Sequence, residues 1–293
     1  MDDMNMLELI DTHIHFWDLD EPNLRYSWLE PDGEDELLGE RLEELKGTKY
    51  LVDDFIAETR KASVSKAIHV QAAVGIDDPV KETEWLQAAA DRTGFPQAIV
   101  AHSNLKDPRV EQELQRHTQF ANVRGLRDFS EGDYLVDPAF HRGYALLEQF
   151  NLVASVAVFG QEVTRVRDLA RKFPGIPMVI DHCGEPAARD EEYFRGWRQA
   201  MSTLAEAENV LVKISGLGMV DHDWTRESIR PWVLACIETF GPGRCVLGTN
   251  WPVDKLFSTY DKLIDAYREI IADFSDDEQR AMFSRNAEKL YRI

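Results

Sequence analysis

The sequence is poor in cysteine, with only Cys183, Cys236 and Cys245 among 293 residues. These form no C-x-x-C pair and no dense framework, so a disulfide scaffold is excluded and a reducing compartment is expected. No apolar run approaches the roughly 20 residues a membrane span needs. The stretch Met1 to Met6 is acidic and polar, unlike a secretory signal. The expectation is a cytoplasmic protein. Positive charge is scarce too: 33 Lys+Arg stand against 53 Asp+Glu, a formal net charge of −20. Such a field repels a phosphate backbone and an anionic lipid surface, so neither nucleic acid nor membrane is expected as a partner. Several signatures are missing as well. No G-x-G-x-x-G follows a strand, which disfavours an open dinucleotide-binding sheet. No Walker loop occurs, and Ser215-Gly216 is not a G-x-S-x-G nucleophile elbow.

What is present is enough apolar material for one large domain, 44% of the chain with 7 tryptophans. It is arranged in a rhythm. β-rich runs occur at Leu9–Phe16, Ala67–Gln71, Ala98–His102, Gly125–Arg127, Leu152–Phe159, Met178–His182, Val210–Ser215 and Cys245–Asn250. After the first gap they recur at roughly 25–35 residues, the spacing of a strand plus a crossover helix. Helical patterns fill the intervals at Asp53–Lys61, Pro79–Asp91, Glu191–Glu208 and Ser228–Phe240. About eight such units predict a single-domain, distorted (β/α)₈ TIM barrel over residues 1–293. The acidic segment at about residues 20–50, with Pro22, Pro31, Gly33 and Gly47, breaks the rhythm. As an insertion over the barrel mouth it reads either as a lid or as a solvated loop.

Polar residues gather where the runs end: His13, His15, Gln71, His102, Arg127, His182, Ser215 and Asn250. In a barrel those ends converge on one face, where catalysis takes place. His13 and His15 are two apart on a strand and so point to one side, able to reach one metal ion or one substrate group. His182, between an apolar run and Gly184, is placed to bind metal or to move a proton. Arg127 is suited to hold a carboxylate by two hydrogen bonds, or else to pair with Asp128 or Glu131. Gly248-Thr249-Asn250-Trp251-Pro252-Val253-Asp254 closes the last strand. Asn250 cannot serve as a base, so Asp254 either supplies that function or caps the following helix. Gln71, His102, Arg127, Ser215 and Trp251 are expected to touch substrate. His117 and His141 are expected at the surface, and the orientation of Lys213 stays open.

These segments carry a resemblance. Asp11-Thr12-His13-Ile14-His15-Phe16-Trp17-Asp18, His69-Val70-Gln71-Ala72, Arg124-Gly125-Leu126-Arg127, Val179-Ile180-Asp181-His182-Cys183-Gly184, Lys213-Ile214-Ser215-Gly216-Leu217 and Gly248-Thr249-Asn250-Trp251-Pro252-Val253 follow one another as in the amidohydrolase superfamily. The chain resembles its branch of TIM-barrel hydrolases that includes sugar-lactone lactonases and 2-pyrone-4,6-dicarboxylate lactonase. The resemblance implies hydrolysis at the strand C-termini by His13, His15 and His182, with Asn250 standing where an aspartate is usual and no strand-five histidine. It implies one divalent cation, zinc, on His13, His15 and His182, with metal-free hydrolysis as the alternative. The expected activity is hydrolysis of a sugar-acid or carboxylated lactone, a small-molecule substrate. The alternatives are a metal-dependent decarboxylase of the same superfamily or a non-catalytic ligand-binding barrel. A homodimer is the default assembly.

Overall fold

In the computed structural model, which describes residues 7–130, 132–158 and 162–293, the β-rich runs are eight strands. They are β1 Leu9–Ile14, β2 Val64–Val70, β3 Ala98–His102, β4 Val123–Arg127, β5 Val153–Val156, β6 Met178–Ile180, β7 Val210–Ile214 and β8 Cys245–Leu247. Each pairs in parallel with the next, so spatial order equals chain order. β8 returns to β1: Ile14 bridges Trp251 in parallel, His15 N–H donates to the Trp251 carbonyl at 2.7 Å, and Asn250 N–H donates to the His13 carbonyl at 2.8 Å. A Cβ on Gly248 would lie 3.0 Å from both Cβ and N of His13, so glycine permits this close return. The fold is a (β/α)₈ TIM barrel, distorted by register shifts in the β1–β2 and β3–β4 pairings. Residues 1–6, whose composition argued against a secretory signal, lie outside the described residues. So do Glu131 and residues 159–161 at the end of the fifth run.

The crossovers are α1 Val52–Thr59, α2 Val80–Thr93, α3 Val110–His117, α4 Pro138–Gln149, α5 Val163–Lys172, α6 Glu191–Ala205 and α7 Arg226–Phe240, followed by α8 Tyr260–Ile270, α9 Asp276–Arg280 and α10 Asn286–Tyr291. Among the described residues no helix is long and apolar enough to cross a membrane. The barrel interior is layered. Toward the strand N-termini, Ile10, Ile68, Ala98, Val153, Val179 and Val246 pack with Leu290 and Tyr291 of α10, which closes that end. Side chains recur on one face every second residue. Two steps up the chain from Val153, Val179 and Leu211, the interior therefore receives Ser155, Asp181 and Lys213, all fully or nearly fully buried.

The segment over residues 20–50 is not a solvated loop. Leu29, Leu38, Leu42, Leu45 and Tyr50 are buried. Trp28 Nε1–H donates to the Ala72 carbonyl at 2.9 Å, His222 Nε2 donates to the Leu37 carbonyl at 3.0 Å, and Arg41 donates to the Leu256 carbonyl. The segment thus rests on the loops that follow β2, β7 and β8, at the C-terminal face of the barrel.

Candidate active site

The β1 histidines meet head to head, with Nε2 of His13 3.1 Å from Nε2 of His15. His15 Nδ1 lies 2.8 Å from the Val70 carbonyl. A carbonyl only accepts, so Nδ1 carries the proton and Nε2 offers its lone pair. On its other side that Nε2 faces Asn250 Oδ1 at 3.2 Å. Asn250 sits at φ +60, a left-handed conformation that Asn tolerates. Its Nδ2 donates to Asp254 Oδ1 at 3.0 Å and lies 3.2 Å from the Met219 sulfur. Asp254 therefore holds the amide with its oxygen toward His15. Asp254 is buried rather than a loose loop carboxylate, and burial pushes its pKa up to about 7 against the Asn250 and Gly218 hydrogen bonds. It caps no helix, because Thr259 accepts the Lys262 N–H at the start of α8. Below the pair, Asp11 receives the Thr249 N–H, the Thr249 hydroxyl and the Tyr260 hydroxyl at 2.9, 2.6 and 2.8 Å. These bonds tie β1 to the end of β8.

His182 arrives by an unusual backbone route. His182, Cys183, Gly184 and Glu185 all have positive φ, at +51, +55, +66 and +48, making one left-handed turn. Non-glycine residues adopt this only where their surroundings hold them, at roughly 1–2 kcal/mol each. Trp197 Nε1–H donates to the Cys183 carbonyl at 2.8 Å, and Glu185 N–H closes the turn on the His182 carbonyl at 2.8 Å. The His182 ring lies 4.4 Å from the His13 ring, with Nδ1 2.9 Å from Ser215 Oγ. Gly216 makes room, since a Cβ there would sit 2.4 Å from His182 Nδ1. Burial lowers the His182 pKa to about 3, and both β1 histidines are likewise well below the ordinary value, so all three are neutral. Among the described residues no three His, Cys, Asp or Glu side chains are gathered closely enough to hold a metal. The His13, His15 and His182 rings stand side by side, with His182 Nδ1 turned to Ser215.

Two residues not singled out as site residues from the sequence occupy the centre. Lys213 is fully buried; its Nζ donates to Asp181 Oδ1 at 2.7 Å and lies 3.3 Å from His13 Nδ1. Burial works to raise the Asp181 carboxyl, yet the Lys213 ammonium and His13 hold it well below the carboxylate range. Ser155 donates to Asp181 Oδ2 at 2.7 Å. Arg127 reaches the same carboxylate at 3.8 Å and donates from Nη2 to the carbonyl and Oε1 of Gln71 at 2.7 and 3.2 Å. It does not pair with Asp128, whose oxygens accept the Leu105 and Ser130 N–H groups. The Arg127 guanidinium also lies 4.5 Å over the ring of Phe129, which is 46% exposed at the mouth. His102 Nδ1 donates to the Arg127 carbonyl at 2.9 Å beside this edge.

Gln71, Arg127 and Ser215 thus stand with the histidines, His102 stands at the rim, and Trp251 stands elsewhere. Its indole N–H donates to Glu58 on α1 at 2.7 Å and its ring meets Tyr260 on α8, so it faces the helices rather than the mouth. His117 is not at the surface as expected. It is buried, with Nδ1 2.8 Å from the Thr83 hydroxyl and Nε2 donating to the His102 carbonyl.

The amidohydrolase family pattern matches residues 10–293. The chain is 36% identical to an uncharacterized protein, y4mH, of Sinorhizobium fredii, over 99% of this chain and 100% of that one. It is 28% identical to an L-fucono-1,5-lactonase of Burkholderia multivorans, over 97% of this chain and 96% of that one. Its fold matches the crystal structure of an amidohydrolase from Burkholderia multivorans with bound zinc at a TM-score of 0.83 and 26% identity, covering 98% and 99% of the two chains.

Proposed function

The chain belongs to the amidohydrolase family, and from that premise we propose that it hydrolyses a sugar-acid lactone. The observation that carries the reading is the partly buried guanidinium of Arg127 beside a cluster of neutral imidazoles, in a chain 28% identical over 97% of its length to an L-fucono-1,5-lactonase. In a protein of net charge −20, Arg127 and Lys213 concentrate positive charge where an ester carbonyl becomes an oxyanion. Arg127, held in plane by Gln71, binds the hydroxyls or carboxylate of the substrate. The exposed face of Phe129 and the rim position of His102 shape the entry. With the Ser215 hydroxyl donating to Nδ1, His182 presents Nε2–H as a neutral donor to the developing oxyanion.

One divalent cation fits the site, and zinc, bound in the Burkholderia structure, is the proposed identity. The fit rests on two acceptors, His15 Nε2 and Asn250 Oδ1, that face each other at 3.2 Å. His13 would join them through Nε2 only on losing the proton that the Lys213 ammonium beside Nδ1 favours there, and His182 lies with Ser215. When bound there, such a cation would supply Lewis-acid polarisation of the lactone carbonyl. A neutral amide oxygen and the Lys213 ammonium beside His13 make this a weak single site.

The test is acid release from L-fucono-1,5-lactone and a panel of aldonolactones. The expected result is kcat/KM of about 10⁴ M⁻¹s⁻¹ or higher for at least one of them. No acceleration over spontaneous opening for any of them would overturn the reading.

A further inference from the structure

A buried carboxylate that the reaction does not use stands behind the loop that follows β2. Glu82, in the first turn of α2, is only 3% exposed. Charged side chains are almost never this buried unless paired, yet among the described residues Glu82 makes no ion pair. Its Oε1 instead accepts the N–H groups of Ala72 and Ala73, both at 2.8 Å. The N-terminal end of α2 favours a carboxylate at this place, but the two amides it holds belong to the loop and not to the helix.

That loop leads to Arg127. Both backbone groups of Ala73 are engaged: its N–H goes to Glu82, and its carbonyl accepts from Gln71 Nε2. With Nε2 committed there, the Gln71 amide turns its oxygen toward Arg127, at 3.2 Å from Nη2 and 3.4 Å from Nε. The Gln71 carbonyl accepts from the same Nη2 at 2.7 Å. Among the described residues Gln71 takes every hydrogen bond that the Arg127 guanidinium makes, and the Asp181 carboxylate waits at 3.8 Å. A guanidinium released by Gln71 therefore has a buried anion to swing to, away from the mouth. The covering segment secures the same loop by other groups. Trp28 Nε1–H donates to the Ala72 carbonyl at 2.9 Å, Val74 N–H donates to the Arg25 carbonyl at 2.9 Å, and Ser27 N–H donates to the Val74 carbonyl at 3.2 Å.

We infer that Glu82 is a positioning residue for substrate binding, acting through Ala73 and Gln71 to hold Arg127 toward the hydroxyls or carboxylate of the lactone, an assignment that rests on the lactonase reading. Glu82 touches neither the substrate nor the reacting atoms. Removing its oxygen leaves two buried N–H groups without an acceptor, and the loop must shift to find them partners. The Gln71 amide shifts with Ala73, and Arg127 closes on Asp181. The consequence falls on the affinity for substrate and spares the chemical step.

The experiment compares Glu82→Gln and Glu82→Leu on the aldonolactone that the wild type turns over fastest. Glutamine keeps an oxygen for both N–H groups, and its KM should stay within about twofold of wild type. Leucine keeps the bulk and loses the acceptor; KM should rise by about five- to twentyfold with kcat within about threefold. In an Arg127→Ala background the same Glu82→Leu change should alter kcat/KM by less than about twofold, because the group it positions is gone, whereas a merely structural role would cost the same in both backgrounds. Should Glu82→Leu not fold, Glu82→Asp, with its acceptor withdrawn by one methylene, enters the same cycle with an expected rise in KM of about threefold or more. A Glu82→Leu KM within about twofold of wild type, or losses that multiply in the double variant, overturns the assignment. A wild type inert toward every lactone removes the lactonase reading and this role with it, a result distinct from an active wild type whose KM is indifferent to Glu82.

Discussion

The two ends of the barrel interior are built by the same strands and do opposite things. At the lower end, Val153, Val179 and Val246 interdigitate with one another and with Tyr291 of α10, with no charge among them. One pleat higher, Ser155, Asp181 and Lys213 replace that hydrocarbon with a buried ion pair, and Arg127 and His13 lean on it. The lower layer is stable because its apolar surface leaves water, at about 25 cal/mol per Å². The upper layer gains less, because desolvating Lys213 and Asp181 offsets most of their attraction. Its polarity is retained for what it orients: the ammonium beside His13 Nδ1 favours a proton on His13 Nε2, which then points at His15.

The comparison breaks most visibly at Lys213. Lys213→Met leaves Asp181 charged and buried without its ammonium, and stability should fall by about 3–5 kcal/mol in urea unfolding. Lys213→Met combined with Asp181→Asn removes both charges and should recover most of that loss, with catalysis still impaired. In the lower layer Val179→Ala should cost about 1–3 kcal/mol from the cavity it opens and leave kcat unchanged below the unfolding range. Should Lys213→Met prove no more harmful than Val179→Ala, the ion pair does not hold the upper layer together.

Arg127 sharpens the comparison next, since it belongs to the upper layer but carries its charge toward the mouth. Arg127→Ala should lower kcat/KM for a carboxylated or polyhydroxylated lactone by about 10- to 100-fold, the worth of a charge-assisted contact. Assays across lactones with and without a carboxylate measure this, and an unchanged profile would place Arg127 outside substrate contact.

Much of the architecture is readable from local chemistry. Period-two runs at crossover spacing yield the strands, and the polar residues at their ends converge because a barrel makes them do so. What stays hidden has physical causes. The parity that carries Val179 inward carries Asp181 inward too, yet three residues of β6 are too few to fix the phase without their neighbours. Lys213 stays ambiguous for the same reason, until Leu211 is seen to pack against the lower layer. The left-handed turn at His182 has no local signal, because Trp197 and Gly216, distant in sequence, stabilise it. Trp251 reads as a mouth residue from its place after β8, but Glu58 and Tyr260 turn its indole outward.

Asp254 gives the smallest expected effect on rate and the most specific one on stability. Sequence logic offers it as a base or a cap, and the structure makes it the residue that orients Asn250. An asparagine at 254 still offers an oxygen to Asn250 Nδ2, so Asp254→Asn should lower kcat by no more than about tenfold. Its effect on stability depends on pH. The folded carboxyl titrates near 7, chiefly because it is buried, whereas an unfolded one titrates at 3.8. Between those values the folded protein holds a proton that the unfolded chain has lost. Wild-type stability from this group therefore falls as pH rises through the window and is lost in full above about 7. Asparagine does not ionise, so the Tm of Asp254→Asn relative to wild type should climb between pH 5 and pH 8, by a few degrees if the shift is of the order that burial implies. Calorimetry at the two pH values measures it. A parallel pH dependence in both proteins would mean the carboxyl is not raised. A rate loss of about 10²–10⁴-fold would instead make Asp254 the base.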